Sequence, residues 1–126
     1  MRVFKTKWFA RFARRERISD TALCEAVKRV GEGLIDADLG GNVLKQRIAR
    51  PGGGRSGGYR TILLIRIGTR AVFAYGFAKN DQENINRNEL EGFQTLAAEL
   101  LEYEDDQIEK ALDTGALLEM NCSGNK

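Results

Sequence analysis

The chain contains no histidine. That absence removes the commonest general base and the usual partner of a serine or cysteine nucleophile. Zinc sites are removed with it, because the two cysteines, Cys24 and Cys122, stand far apart and neither has a neighbour at ligand spacing. Cys24 falls inside a helical pattern and reads as a core residue, which makes the cytoplasm the natural compartment. No metal and no cofactor is expected. No apolar run approaches the length needed to span a bilayer, so no membrane partner is expected. The opening MRVFKTKWFARFARRER is basic and amphipathic. It lacks the apolar block and cleavage site of a signal peptide and reads as part of the fold.

One further absence is regional. Residues 39–80 hold no Asp or Glu, yet carry Lys45, Arg47, Arg50, Arg55, Arg60, Arg66, Arg70 and Lys79. The formal net charge of +2 conceals a division: residues 1–80 have 17 Lys and Arg against 6 Asp and Glu, and residues 81–126 have 3 against 12. A cationic stretch without internal counter-charge attracts anions, and such a split suggests a basic working body with an acidic flank. The total of 126 residues suits one domain with one core. We place that domain at residues 1–120 and a disordered tail at 121–126.

Residues 2–5 read as a short strand. Thr6 caps a helix running through Arg17, with Trp8, Phe9, Phe12 and Ala13 on one side and Arg11, Arg14, Arg15 and Arg17 on much of the other. Those arginines fit either a solvated face or a rim of contacts to phosphate or an acidic partner. Ser19 caps a second helix with Leu23, Ala26, Val27 and Val30 at helical spacing, ended by Gly31 and Gly33. After Gly40-Gly41-Asn42 comes a strand from Val43 to Ala49, in which Lys45 and Arg47 share a face, stopped by Pro51.

Gly52, Gly54 and Gly57 match the spacing of a dinucleotide fingerprint, but a strand follows them instead of a helix, and no acid occurs until Asp81. The stretch is either a hairpin loop or a backbone cradle for an anion, with Arg55 in its middle. Residues 59–67 give the strongest strand signal and read as a central strand covered on both faces. Gly68-Thr69 predicts a two-residue turn. Alternation along the returning strand places Phe73, Tyr75, Phe77 and Lys79 on one face. Hairpin pairing then brings Lys79 close to Arg60, with Lys45 and Arg47 beside them, and leaves Arg66 and Arg70 as surface charges near the far turn. Asn88 caps an amphipathic helix with Leu90, Phe93, Leu96, Ala97, Leu100 and Leu101. A second acidic helix spans 105–114, Gly115 stops it, and 116–120 form a terminal strand.

RVFKTKWFARFAR, DADLGG with KQRIARPGGGRSGGYRT, and VFAYGFAKN together resemble a toxin of the RelE/ParE superfamily from a type II toxin–antitoxin system, in the RelE/HigB-like branch. The resemblance runs from Arg2 to Met120. It implies an α+β fold, with two N-terminal helices packed on a small, mainly antiparallel sheet, followed by C-terminal helices. It also implies an endoribonuclease that inhibits translation by cleaving mRNA at the ribosome, and a cognate DNA-binding antitoxin. The family's catalytic Arg falls on Arg60, its basic residue at the next strand end on Lys79, and its preceding basic residues on Lys45 and Arg47. A late catalytic tyrosine has no counterpart except Tyr103, in the acidic helix.

RNA carries its own nucleophile, the 2′-hydroxyl, so a catalyst without histidine can act by holding the phosphate and moving protons. Arg60 suits this because a planar guanidinium can hold two phosphate oxygens; its alternative is a structural pair with an acid of the C-terminal region. Arg50, Arg55, Tyr59 and Tyr75 are further candidate RNA contacts, the tyrosines either stacking on bases or packing the sheet. Two other functions fit the same residues: inhibition of DNA gyrase in the manner of ParE, and RNA binding without cleavage.

Overall fold

A computed structural model describes residues 1–49, 58–79 and 84–122. The elements are β1 (Arg2–Thr6), α1 (Lys7–Glu16), α2 (Asp20–Gly31), β2 (Ala37–Gly40), β3 (Val43–Ile48), β4 (Tyr59–Arg66), β5 (Arg70–Ala78), α3 (Arg87–Leu100), α4 (Asp105–Thr114) and β6 (Leu117–Met120). The six strands form one sheet in the order β2-β3-β4-β5-β1-β6. All neighbours run antiparallel except β1 and β5, which are parallel. The fold is α+β, as the sequence implies. Strand β2 carries no apolar alternation of its own and was not expected.

The helices begin where capping chemistry allows. Thr6 Oγ1 accepts the Phe9 N–H at 3.1 Å, and Ser19 Oγ accepts the Ala22 N–H at 3.1 Å. Asn86, two residues earlier than the predicted Asn88, closes a reciprocal capping box with Glu89 at the start of α3. The N-terminal and C-terminal helices take opposite faces of the sheet. Phe9, Phe12, Leu23, Val27 and Val30 pack with Leu44, Ile48, Leu63 and Phe73 on one face. Ala97, Leu100, Leu101 and Ile108 pack with Phe4, Val43, Ile62, Leu64 and Val72 on the other. Strand β4 is buried along nearly its whole length because both faces are covered.

Two departures in the β4–β5 hairpin offset one another. Its loop has three residues, Ile67 to Thr69, with Thr69 N–H donating to Arg66 O and Gly68 at φ 85°. Further along, Leu63 pairs with Phe73 but Ile62 pairs with Tyr75, so β5 carries one extra residue, a bulge. The loop shifts the register by one residue and the bulge shifts it back. Lys79 therefore still reaches its expected place, its N–H donating to Gly58 O at 3.4 Å. The bulge does overturn the expected alternation: Phe73 joins the core under α1 and α2, while Tyr75 packs on the opposite face. Beyond it, Gly76 lies beneath α1, where a Cβ would stand 2.5 Å from the Phe12 ring.

Two expectations need correcting. Arg70 is not a surface charge: it is buried, and its guanidinium donates to the carbonyls of Leu100 and Tyr103 at 2.8 and 3.1 Å, satisfying the end of α3. Cys24 is not a free core thiol but is joined to Cys122 in a disulfide, with the Cα atoms 5.3 Å apart. The predicted tail is thus tied down at Cys122, and its remainder, 123–126, falls outside the described residues. No helix among the described residues is long and apolar enough to cross a membrane.

Candidate nucleic-acid interface

Strands β3, β4 and β5 bring the cations together by register. Arg47 pairs with Arg60, Arg60 pairs with Phe77, and Lys45 pairs with Ile62. Paired residues share a face, so Lys45, Arg47 and Arg60 all lie on the side of the sheet away from α1. Lys79 continues the alternation from Phe77 just past the end of β5. These are the four residues to which the sequence resemblance assigns catalysis.

The ion pairs among the described residues lie elsewhere: Arg2 with Glu109 and Glu119, Lys5 with Asp20, Arg15 with Glu16, and Arg66 with Glu102. Among the described residues no C-terminal acid pairs with Arg60, the structural role that was its alternative. Arg60 is only 7 % exposed, and its Nη1 has no hydrogen-bond partner among them. A buried donor left unmade costs about 1–3 kcal/mol, more when charged. Directly opposed like charges on adjacent strands add a penalty of about 0.2–1 kcal/mol. Two oxygens of a phosphate would relieve both penalties.

Polar residues that the sequence did not single out hold this corner in place. The Arg47 N–H donates to Asp36 Oδ2 and its carbonyl accepts from Arg29 Nη2, both at 2.7 Å. Gln46 is fully buried. Its Oε1 accepts the Asp36 N–H at 2.7 Å and its Nε2 donates to Leu34 O at 3.3 Å, clamping the segment before β2 onto β3. The signal for Gln46 was present, since alternation with Lys45 and Arg47 places a polar residue on the core face. Asp36 belongs to no pattern. Lys45 Nζ donates to Asn84 Oδ1 at 3.3 Å, fixing the lysine against the approach to α3.

Tyr75 borders the cations. Its ring lies 6.0 Å from Phe77, 5.6 Å from Phe93 and 4.7 Å from Trp8, centroid to centroid. Burial raises the pKa of its phenol, and the Glu89 carboxylate adds to the effect, so the hydroxyl keeps its proton at neutral pH. Tyr59 is elsewhere. Adjacent to Arg60 on an extended strand, it must face the opposite side, where it is buried edge-on to Phe12 and donates to Glu16 Oε1 at 3.1 Å. It does not share the face of Arg60. Arg50 and Arg55 lie outside the described residues. Among the described residues no group of three His, Cys, Asp or Glu could hold a metal ion.

A family model described as the RelE toxin of the RelE/RelB toxin–antitoxin system matches residues 1–120. Comparison with curated proteins and with solved structures gave no match. The family match spans nearly the whole chain and coincides with an α+β fold; the protein belongs to the RelE family of toxins from toxin–antitoxin systems.

Proposed function

We propose that this toxin is an endoribonuclease of the RelE/HigB-like branch that arrests translation in the cytoplasm by cutting mRNA engaged with the ribosome. The observation that carries the reading is Arg60, a buried guanidinium with an unpartnered Nη1 set directly opposite Arg47. Such an arrangement is unfavourable in the free protein and becomes favourable once a phosphate enters. Binding a protein target such as gyrase does not call for it.

In this reading Arg60 and Arg47 hold the non-bridging oxygens of the scissile phosphate, and Lys79 supplies a second clamp at the mouth of the site. Charge on those oxygens grows as the 2′-hydroxyl attacks phosphorus, so donors fixed in advance favour the transition state over the ground state. The 2′-hydroxyl proton leaves to solvent, the P–O5′ bond breaks, and the 5′-oxygen takes up a proton. The products are a 2′,3′-cyclic phosphate and a 5′-hydroxyl. Tyr75, whose ring packs against Phe77 opposite Arg60, would supply that proton. Lys45, anchored to Asn84, extends the cationic track to the neighbouring phosphate.

The cognate antitoxin is expected to be a DNA-binding protein with an acidic segment that covers this face. The test is sequencing of RNA 5′ ends after induced expression, wild type beside Arg60→Ala. New 5′ ends within open reading frames, present for wild type and absent for the variant, support the proposal. Intact mRNA with accumulating DNA breaks would turn the assignment to gyrase. Salt-sensitive RNA binding without new ends would leave a non-catalytic binder.

A further inference from the structure

Trp8 lies outside the mechanism above. It occupies the first turn of α1, and 46 % of its surface is exposed. An indole left half open to water near a cluster of cations has an obvious use in RNA recognition. We propose that Trp8 is a stacking platform for an unpaired nucleobase flanking the phosphate held by Arg60. The inference rests on the RNA reading and extends it to a base-contacting residue.

Three observations support it. First, Trp8 is rigidly backed. Its ring lies 4.7 Å from Tyr75 and 5.5 Å from Phe12, stacked nearly parallel to the latter at 13°, so an incoming base meets a fixed surface. A pre-ordered ring loses little entropy on binding. Second, ring contacts link it to the phosphate site, because Trp8 at the start of α1 touches Tyr75, which packs on the face of the sheet that carries Arg60. Tyr75 joins Trp8 to Phe77, and Phe77 pairs directly with Arg60. Third, the surroundings are cationic. Lys7 and Arg11 are exposed on the same helix, with Arg11 one turn beyond Trp8, and the Arg15 guanidinium lies 5.6 Å over the Phe12 ring. Among the α1 residues only Glu16 is acidic, and it is engaged with Arg15 and Tyr59. Aromatic rings between cations that follow a backbone are the pattern by which single-stranded nucleic acid is held, and stacking tolerates any base because every base has a π-face. An apolar protein partner would not be favoured by that ring of positive charge.

Trp8 is the chain's single tryptophan, so its fluorescence reports this site alone. The experiment titrates the protein with a single-stranded 2′-O-methyl oligoribonucleotide, which cannot be cleaved, and in parallel with an abasic oligomer of the same length. Binding is followed independently by anisotropy of a label on the oligomer. The expected result is quenching of Trp8 by the base-bearing oligomer and none by the abasic one, although both bind in a salt-dependent manner. Trp8→Leu is expected to weaken the base-bearing oligomer about tenfold and leave the abasic one unchanged, while Trp8→Phe keeps most of the affinity.

Binding without quenching, or equal quenching by both oligomers, overturns the platform and leaves the phosphate site standing. Failure of both oligomers to bind overturns the platform together with the RNA reading. Quenching by the antitoxin and not by RNA would reassign Trp8 to that interface and also overturn the proposal.

Discussion

The two ends of the β4–β5 hairpin use the same residue in opposite ways. At the turn end, Arg70 is 8 % exposed and gives its protons to the Leu100 and Tyr103 carbonyls, while Arg66 reaches Leu101 O and Glu102. At the open end, Arg60 is 7 % exposed, faces Arg47, and has a nitrogen with no acceptor among the described residues. Burial is equal, so it does not separate structural arginines from working ones. What differs is the supply of acceptors. The turn end borders the acidic C-terminal helices, whereas the cations of the open end come from a stretch with no acid and the neighbouring Asp36 carboxylate is taken by the Arg47 N–H. A fold stabilises itself where its cations are partnered and keeps binding potential where they are not.

The sharpest break of this comparison replaces each buried arginine with methionine, similar in length and uncharged. Arg60→Met is expected to lower RNA cleavage about 10²–10³-fold, as loss of one preorganised donor does. It is also expected to raise stability by about 1 kcal/mol, since an uncompensated buried charge disappears. Arg70→Met should do the reverse, costing about 2–3 kcal/mol by stranding two carbonyls, with cleavage per folded molecule unchanged. Urea midpoints at constant m-value and a cleavage assay on the same preparations read both effects. Loss of stability in Arg60→Met would show that this arginine, too, is partnered.

The same comparison marks how far the sequence could be read. The neighbouring placement of Arg60 and Lys79 was legible, but through two offsetting slips: a loop one residue longer than a tight turn and a bulge that restores the register. Neither has a residue signature strong enough to foresee, because Gly68-Thr69 serves both loop lengths and the bulge falls in an apolar run. Helix starts were legible from Thr6 and Ser19, whose side chains do local work. Arg70 was misjudged because its acceptors are carbonyls about thirty residues away, and backbone groups leave no mark in composition. For Tyr59, read as stacking on a base or packing the sheet, the structure shows the packing, on the face opposite Arg60 that alternation dictates. The assignment of the two helix pairs to opposite faces was not legible, since each pair is amphipathic on its own and nothing local says which face it takes.

A smaller effect sharpens the contrast at the surface. Lys79→Ala and Arg47→Ala should each weaken binding of an uncleavable RNA. Each should also flatten the dependence of log K on log salt by about 0.7 for every phosphate no longer neutralised. Arg66→Ala, equally cationic but paired with Glu102, should leave that slope unchanged. Anisotropy titrations across a salt series measure it, and an equal change in all three would mean that position on the sheet does not matter.

The smallest expected effect concerns acid. Arg2 holds Glu119 through a bidentate pair, Nε and Nη2 to the two carboxylate oxygens at 2.8 and 2.9 Å. That hydrogen bonding, outweighing an opposing desolvation and aided by Coulomb attraction, pulls the Glu119 carboxyl below its usual range. A depressed folded pKa gives stability that is present above the unfolded value, near ~4.3, and lost as pH falls through the folded one. Because both side chains are more than a third exposed, the pair contributes at most about 1 kcal/mol. Glu119→Gln should therefore lower the urea midpoint slightly near neutral pH and leave it equal to wild type in strong acid. Arg60→Met must behave otherwise. Among the described residues no carboxylate pairs with Arg60, so its stabilising difference should persist through the same acid range. A difference that faded with Glu119 would place an unrecognised acid beside Arg60 and undo the contrast between the two ends.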